Sequence, residues 1–348
     1  ITRIAGFASR VVPAMAALYL AGALCVIISN YENIIPSFLS IFTSAFTGSS
    51  AMGGFLGATF AFAANKGVGR GLFSNEAGQG SSAIAHASAT TEEPVSEGMV
   101  SLLEPFIDTI IICTLTGLVI LSSGVWLEKH ENTFQKSDFS IISGSYSDTV
   151  EEDKAALYKH LNFMDGSTIR TLDGEIDIVD GKMITNGATI LNARSVAENV
   201  MFSKDNLLYS GKLSVIDGNL GDSSVVVRGK SLIHSAALTS KAFTRSFLGD
   251  GGQYIVAVSL ALFAFSTAVA WSYYGDRAII YLFGPKGILP YRLAYVIGFF
   301  VASFADTTVI WTFAAITVAF MTIPNVICMF MMRKEVNQMV SDYSDKIK

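Results

Sequence analysis

Residues 35–64 read IPSFLSIFTSAFTGSSAMGGFLGATFAFAA and predict a membrane helix that is interrupted near its middle. Apolar residues run from Ile35 to Phe46, the pattern fails over Thr47–Gly54, and it resumes from Phe55 to Ala64. The failing stretch holds three glycines and three small hydroxyl residues, which are poor formers of a helix interior.

The interruption has three possible interpretations. An unpaired backbone N–H or C=O in lipid costs several kcal/mol, so a break is stable only inside protein or beside a water-filled cavity. Discontinuous helices build substrate and ion sites in secondary transporters, where freed backbone groups and half-helix ends act as ligands. The alternatives are a loop between a re-entrant segment and a helix, and a pair of short buried helices. The stretch by itself leaves all three open.

The composition is that of an integral membrane protein with one polar region. The 348 residues are 51% hydrophobic and 15% charged, whereas soluble domains carry about 25% charged residues. The net charge of -5, without a basic stripe or zinc spacing, gives no argument for nucleic acid as a partner. The three cysteines fall in apolar stretches, which excludes a disulfide framework in the polar region. Because the chain begins at Ile1, we expect it to be a fragment whose N-terminal part is missing.

Besides the broken segment, five apolar stretches are predicted membrane spans. They are Val11–Ser29, Gly98–Gly124, Gln253–Tyr274, Leu293–Ala305 and Val309–Met332. Residues 129–247 lack a long apolar run and are typical of short strands with Asp-Gly turns. Two segments there, Gly174–Gly181 and Gly211–Gly218, repeat an alternating strand followed by Asp-Gly. We therefore predict a β-rich insert within a helical membrane protein.

Short basic segments set the orientation of the predicted spans, because cytoplasmic loops carry an excess of Lys and Arg. With six spans, the basic segments that include Arg10, Arg70, Arg277 and Arg333 all fall on one side. We therefore predict cytoplasmic N- and C-termini and an extracytoplasmic insert. The predicted parts are a first membrane part, the insert, a second membrane part and a cytoplasmic tail, at 1–128, 129–247, 248–335 and 336–348.

Polar side chains inside the apolar spans are candidate functional residues, since such groups are rare at membrane depth and usually face the bundle interior. Glu104 and Asp108 are four residues apart and share a helix face. We predict either a gating role or a structural hydrogen bond for Asp108. Ser266 and Thr267 are adjacent hydroxyls in mid-span, with Trp271 on the face of Thr267. The alternatives are a hydroxyl bonded to its own helix and a Trp that anchors the span at the interface.

Four sequence motifs, which contain most of these polar residues, point to a known family. They are GRGLFSNEAGQGS at 69–81, EPFIDTIIICT at 104–114, FSTAVAWSYYG at 265–275 and Pro324-Asn325. Together they resemble the alanine/glycine:cation symporter family, the sodium:alanine symporters. The resemblance implies an all-α integral membrane protein with the leucine-transporter-like inverted-repeat fold, of which this chain would hold core helices five to ten and lack helices one to four. The long extracytoplasmic β-rich insert departs from the short loop that the family usually has.

The resemblance implies a substrate pocket built from two core helices. Thr267 and Trp271 match the pocket residues of core helix eight. Gly53, Gly54 and Phe55 match the unwound part of core helix six.

A sodium site is implied beside that pocket. Its expected ligands are the Phe263 carbonyl, the Ser266 hydroxyl and the Thr267 hydroxyl, which are hard oxygen donors suited to Na⁺. The gating or structural polar residues are expected to be Asn75, Glu76 and Asp108.

The activity implied by the resemblance is sodium-coupled symport of a small neutral amino acid, alanine or glycine, across the bacterial inner membrane. A zwitterion in low dielectric needs both charged ends compensated, which the freed N–H and C=O groups of a broken helix can provide. The expected partners are alanine or glycine, Na⁺ and membrane lipid. The alternative is an extracytoplasmic amino-acid sensor or receptor on a transporter-like membrane core. We do not expect an enzyme, since the sequence has no Ser-His-Asp order and no His-Glu-x-x-His motif.

Overall fold

The computed structural model describes residues 2–47, 52–163, 168–305 and 307–347. Within them, four helices are long and apolar enough to cross a membrane: Gly6–Ser29, Pro94–Ser123, Gly249–Phe283 and Ile310–Ile347. The other two predicted spans form shorter helices. The chain is mostly helical, is compatible with a membrane transporter and carries a β-rich insert, as the sequence predicts.

The helices are, in chain order, α1 (Thr2–Ser29), α2 (Ile34–Thr47), α3 (Phe60–Ser74), α4 (Ser81–His86), α5 (Pro94–Ser101), α6 (Leu103–Pro105), α7 (Thr114–Ser123), α8 (Glu151–Asn162), α9 (Ser235–Thr244), α10 (Gly252–Phe283), α11 (Ile288–Ala302) and α12 (Thr307–Ile347). A stretch of π-helix, Phe106–Cys113, joins α6 to α7. One predicted span, Leu293–Ala305, corresponds to the 15-residue α11.

The broken segment forms α2 and α3, with a non-helical stretch between them. Part of the predicted break, residues 48–51, lies outside the described residues. The apolar pattern resumes at Phe55, and α3 begins at Phe60. The Thr59 side chain accepts a hydrogen bond from the Phe62 N–H at 3.2 Å, which is a typical N-cap and fixes the start of α3.

The last helix, α12, is longer than the predicted span. It continues past Met332 to Ile347, through the residues predicted as a tail. Those residues contain no Gly or Pro that would end a helix. Lys346 near the end forms an ion pair with Glu93.

The described residues group into two compact units. The first consists of Ile1–Leu20, Val68–Leu115 and Ala257–Lys348. The second consists of Ala21–Gly67 and Thr116–Val256, and contains the insert.

The insert is built from antiparallel strands. They are β1 (His130–Thr133), β2 (Phe139–Ser143), β3 (Gly174–Val179), β4 (Lys182–Met183), β5 (Ala188–Asn192), β6 (Ser195–Val196), β7 (Glu198–Lys204), β8 (Leu207–Leu208), β9 (Gly211–Ile216), β10 (Asn219–Leu220) and β11 (Val226–Ser231). In the described part of the insert they form three sheets, ordered β1-β11-β7-β8, β10-β9-β3-β4 and β2-β5-β6.

The repeated sequence pattern forms one of these sheets. The two alternating strands, β3 and β9, pair with each other antiparallel, with Ile176 opposite Leu213. Each ends in an Asp-Gly turn whose two residues both have positive φ, as a two-residue type I′ hairpin requires. Ile176 and Leu213 point into the main core cluster of the insert, where they are buried beside Phe202.

Candidate functional site

The first group of predicted site residues follows the end of α3, within the first unit. The Ser74 hydroxyl donates to the Asp108 carboxylate at 2.6 Å. The Asn75 amide donates to the Thr109 hydroxyl at 2.9 Å and to the Gly71 carbonyl at 2.9 Å. Both side-chain contacts reach the π-helix, a conformation that is frequent at functional sites. The arrangement satisfies Asp108 with a hydrogen bond and joins it to the end of α3.

Glu76 lies in the same turn, with a backbone φ of 49°. Its carboxylate accepts a hydrogen bond from the Ser81 hydroxyl at 2.6 Å. Burial raises the pKa of Glu76, the Ser81 hydrogen bond lowers it, and the nearby negative charge of Glu104 raises it, so that the pKa lies above its ordinary value. The carboxylate is therefore held in a turn that partly disfavours its charge.

Two glycines of this turn pack against Asn325 of α12. The Asn325 amide donates to the Gly78 carbonyl at 2.9 Å. Gly80 has a φ of 80°, and a Cβ there would lie 2.8 Å from Asn325 Oδ1. Only glycine fits this position without displacing Asn325, because both the backbone conformation and the close approach exclude a side chain. The turn is thus bound to the residue that follows Pro324 in the last helix.

A residue that the sequence reasoning did not single out, Gln79, is also part of the turn. It is 5% exposed, and its amide nitrogen donates to the Leu72 carbonyl at 3.3 Å. Its Oε1 has no hydrogen-bond partner among the described residues. Ser74, Gln79, Thr109 and Asn325 all lie inside the motifs quoted above, so motif membership was the signal that could have identified them.

The second group lies on α10, also in the first unit. The Ser266 hydroxyl donates to the Phe263 carbonyl at 3.0 Å, which is a bond within its own helix. The structure therefore places two of the three expected sodium ligands next to each other. The described residues contain no group of three or more His, Cys, Asp or Glu side chains that could hold a metal ion.

Aromatic side chains of α10 and of α11 lie close to the residues that follow Thr267. The Trp271 ring lies 5.8 Å from the Tyr274 ring. The Tyr295 hydroxyl of α11 donates to the Ala268 carbonyl at 2.9 Å, one residue after Thr267. This bond joins α11 to the part of α10 that carries the expected substrate contacts.

The third group, Gly53, Gly54 and Phe55, lies in the second unit. A Cβ on Gly53 would be 2.8 Å from the Leu127 carbonyl, and its φ is 56°. The Gly54 N–H donates to that same carbonyl at 3.1 Å. The Phe55 ring lies 5.9 Å from the Trp126 ring, at an edge-to-face angle. These three residues therefore contact the chain that leads into the insert, and their role in substrate binding stays a prediction.

Comparison with known proteins decides the family. The sequence model described as the Sodium:alanine symporter family matches residues 1–150 and 222–348. The chain belongs to the sodium:alanine symporter family. The match skips residues 151–221, which lie within the insert. The resemblance based on the four motifs is confirmed, and this is a family of transporters rather than of enzymes.

Relatives of the chain include several members of this class. The chain is 29% identical to an uncharacterized transporter of Haemophilus influenzae, over 100% of this chain and 54% of that protein. It is 28% identical to the sodium/alanine symporter AgcS of Methanococcus maripaludis, over 91% of this chain and 47% of the relative. It is 41% identical to the probable sodium/glutamine symporter GlnT of Bacillus subtilis over 126 residues, 36% of this chain and 26% of GlnT. The chain thus spans about half the length of the first two of these curated relatives.

Proposed function

We propose that the protein containing this chain carries out sodium-coupled symport of a small neutral amino acid, alanine or glycine, across the bacterial inner membrane. The observation that carries the proposal is the family match over 1–150 and 222–348, which includes all four motifs. The name of the Methanococcus relative, a sodium/alanine symporter, supports alanine as the substrate and Na⁺ as the coupled ion. The relatives named above are transporters, and nothing in them favours a sensor or receptor.

In this proposal α10 provides the cation contacts. The Phe263 carbonyl and the Ser266 hydroxyl are already adjacent, since Ser266 donates its hydrogen to that carbonyl. The hydroxyl oxygen keeps its lone pairs for an ion, and the carbonyl oxygen keeps one. Thr267 adds a third oxygen or contacts the substrate, and Trp271 forms a wall of the side-chain space. Na⁺ is cargo here, and its binding and that of the amino acid reinforce each other.

The broken segment provides the backbone contacts. The substrate carboxylate would accept hydrogen bonds from N–H groups near Gly53, Gly54 and Phe55, and the ammonium group would donate to freed carbonyls. In the structure the Gly54 N–H donates to the Leu127 carbonyl. A substrate carboxylate would have to replace that carbonyl, so binding requires the segment to leave its present partner.

The proposed architecture is the leucine-transporter-like inverted repeat, with core helices five to ten in this chain. The membrane parts would be 1–128 and 248–335, with an extracytoplasmic insert at 129–247 and a cytoplasmic tail at 336–348. Asn75, Glu76 and Asp108 would then keep the end of α3 attached to the π-helix while the helix bundles move. Membrane lipid would surround the exposed apolar faces of the spans.

The test is uptake of labelled alanine by the full-length protein in proteoliposomes. We expect uptake that depends on an inward sodium gradient and is competed by unlabelled glycine. Replacing Na⁺ with choline at equal ionic strength is the matched control and should abolish uptake. Equal uptake in choline would refute the coupling to sodium, and uptake that is no greater than in empty vesicles would refute the proposed activity.

A further inference from the structure

The non-helical stretch between α2 and α3 is held by a hairpin of the insert. The Leu56 N–H donates to the Arg194 carbonyl at 3.0 Å. In return, the Arg194 guanidinium donates to the Gly57 carbonyl, from Nε at 2.9 Å and also from a terminal nitrogen. Arg194 thus binds two consecutive residues of the segment. Its backbone carbonyl accepts the Leu56 N–H, and its side chain donates to the Gly57 carbonyl.

Further contacts of Arg194 extend this attachment to the start of α3. Its guanidinium donates to the Asn162 side-chain oxygen at 2.8 Å and lies 4.5 Å from the centre of the Phe62 ring. The same Asn162 oxygen accepts the Thr59 N–H at 3.2 Å. Among the described residues, this guanidinium contacts a backbone carbonyl, a side-chain amide and an aromatic ring. The guanidinium therefore holds Gly57 and Phe62 against the insert.

The backbone of the hairpin is strained in a way that serves this contact. The β5–β6 hairpin has a two-residue turn, Ala193-Arg194, with φ values of 47° and 60°. A type I′ turn of this kind favours Asn-Gly or Asp-Gly, and the β3–β4 and β9–β10 hairpins of the same insert do use Asp-Gly. Side chains with a Cβ are disfavoured in this conformation, and such strain persists only where the surroundings compensate for it. The residue that departs from the local preference is the one that binds Gly57.

Apolar packing supports the same attachment. Leu56 is 1% exposed and belongs to a core cluster of the insert, with Ile142, Leu157, Ile169, Leu191 and Val196. A side chain from the stretch between α2 and α3 therefore fills part of the insert core. This packing stabilises the attachment, because separating the segment from the insert would expose the apolar cluster to water.

We propose that the β5–β6 hairpin of the insert is a clamp, with Arg194 as its positioning residue, that holds residues 53–59 in a conformation unable to bind substrate. Its effect on transport rests on the proposed function, in which N–H groups of this same segment receive the substrate carboxylate. With the clamp closed, the Leu56 N–H is occupied by the Arg194 carbonyl of the hairpin, next to the Gly54 N–H that donates to the Leu127 carbonyl. The apparent affinity for substrate is then the intrinsic affinity multiplied by the fraction of molecules in which the segment is free.

The clamp is tested by hydrogen–deuterium exchange of the full-length protein in lipid nanodiscs. Arg194→Gly removes the guanidinium bonds to Gly57 and Asn162 and relieves the strained turn, while the backbone carbonyl of residue 194 can still accept the Leu56 N–H, so it loosens the segment without weakening the hairpin. We expect the amides of residues 54–59 to exchange about tenfold faster, because a hydrogen bond from a charged donor is lost. The β7 amides should be unchanged. Arg228→Ala, at an exposed position on β11, is the matched control and should leave all of these rates unchanged.

A second variant keeps the test decisive if Arg194→Gly disturbs the insert. Arg194→Lys keeps the charge but loses the planar fork, so we expect a smaller rise in exchange over 54–59 with β7 protected. Unchanged exchange over 54–59 in a variant with an intact β7 overturns the clamp.

Uptake by the same proteins then separates the clamp from the transport activity. Arg194→Gly should lower the KM for alanine about threefold, as expected when a conformational restriction on binding is removed, whereas Arg228→Ala should not change it. An unchanged or higher KM together with faster exchange overturns the inhibitory role. If the wild-type protein shows no sodium-dependent uptake, the proposed function fails, while the exchange experiment still decides whether the hairpin holds the segment.

Discussion

Leu56→Ala is the substitution that most directly tests the attachment between the stretch that joins α2 to α3 and the insert. Leu56 is 1% exposed, and its side chain packs into a cluster that includes Leu157 and Leu191. Removing a leucine side chain from such a core costs about 2–5 kcal/mol, the larger values where the surrounding residues cannot collapse into the cavity. The free energy of unfolding of the insert should fall by this amount, although the substitution lies about 70 residues before β1 in the sequence.

The assay is pulse proteolysis of the detergent-solubilised protein across a urea series, in which the intact insert is quantified. A loss of about 3 kcal/mol with a slope of about 1.5 kcal/mol per molar urea lowers the midpoint by about 2 M. Leu207→Ala makes the same chemical change at a position that is 73% exposed, and should leave the midpoint nearly unchanged. Equal midpoints for the two variants would refute the reasoning, because Leu56 would then contribute nothing to the insert core.

Three further predictions concern the turn after α3, the histidines of the insert and the expected substrate contact. Gly80→Ala should cost about 1–2 kcal/mol for the left-handed backbone alone, and more because the new Cβ meets Asn325; the thermal midpoint in detergent should fall by several degrees, whereas Gly67→Ala, with open space around it, should not lower it. Burial holds the pKa values of His130 and His160 below the ordinary value for histidine. Below about pH 6.5 these histidines therefore bind protons in the unfolded chain before they do so in the folded insert. The free energy of unfolding should consequently fall as the pH is lowered from about 6.5 to the pKa values of the folded state. In a variant with both His130→Asn and His160→Asn, the urea midpoint should therefore change less with pH between about pH 7.5 and 5.5. If the midpoint changes with pH as much as in the unsubstituted protein, the two histidines are not the origin of the effect. Thr267→Val should raise the KM for alanine in the full-length protein several-fold through the lost hydroxyl contact; Thr317→Val, which removes a hydroxyl bonded to its own helix, is the control, and unchanged kinetics for Thr267→Val would remove this residue from the site.

Local sequence patterns were sufficient for much of the fold. The long apolar stretches become four membrane-length helices, because hydrocarbon thickness and helix rise set the length of a span. The two Asp-Gly turns form hairpins, since the positive φ values they need are a property of those residues. The four motifs together indicated the family, and the glycines at 78 and 80 in the first of them do have left-handed backbone conformations.

Contacts between distant parts of the chain were not predictable in this way. The sequence indicates that the helix breaks near Gly53, but not that the freed Gly54 and Leu56 N–H groups donate to Leu127 and Arg194. It includes Asn325 in a motif, but not its bond to Gly78, which is 247 residues away. The apolar pattern resumes at Phe55 whereas α3 begins at Phe60, because hydropathy does not distinguish lipid from an insert core as the environment of Leu56.

The sequence by itself determined which segments are apolar, where turns form and to which family the chain belongs, because these depend on residues close together in the chain. Only the tertiary structure decided which partners complete the broken backbone and why an arginine occupies a turn position suited to glycine. Both features depend on long-range packing and hydrogen bonding, whose free energy exceeds the local conformational preferences of the residues involved.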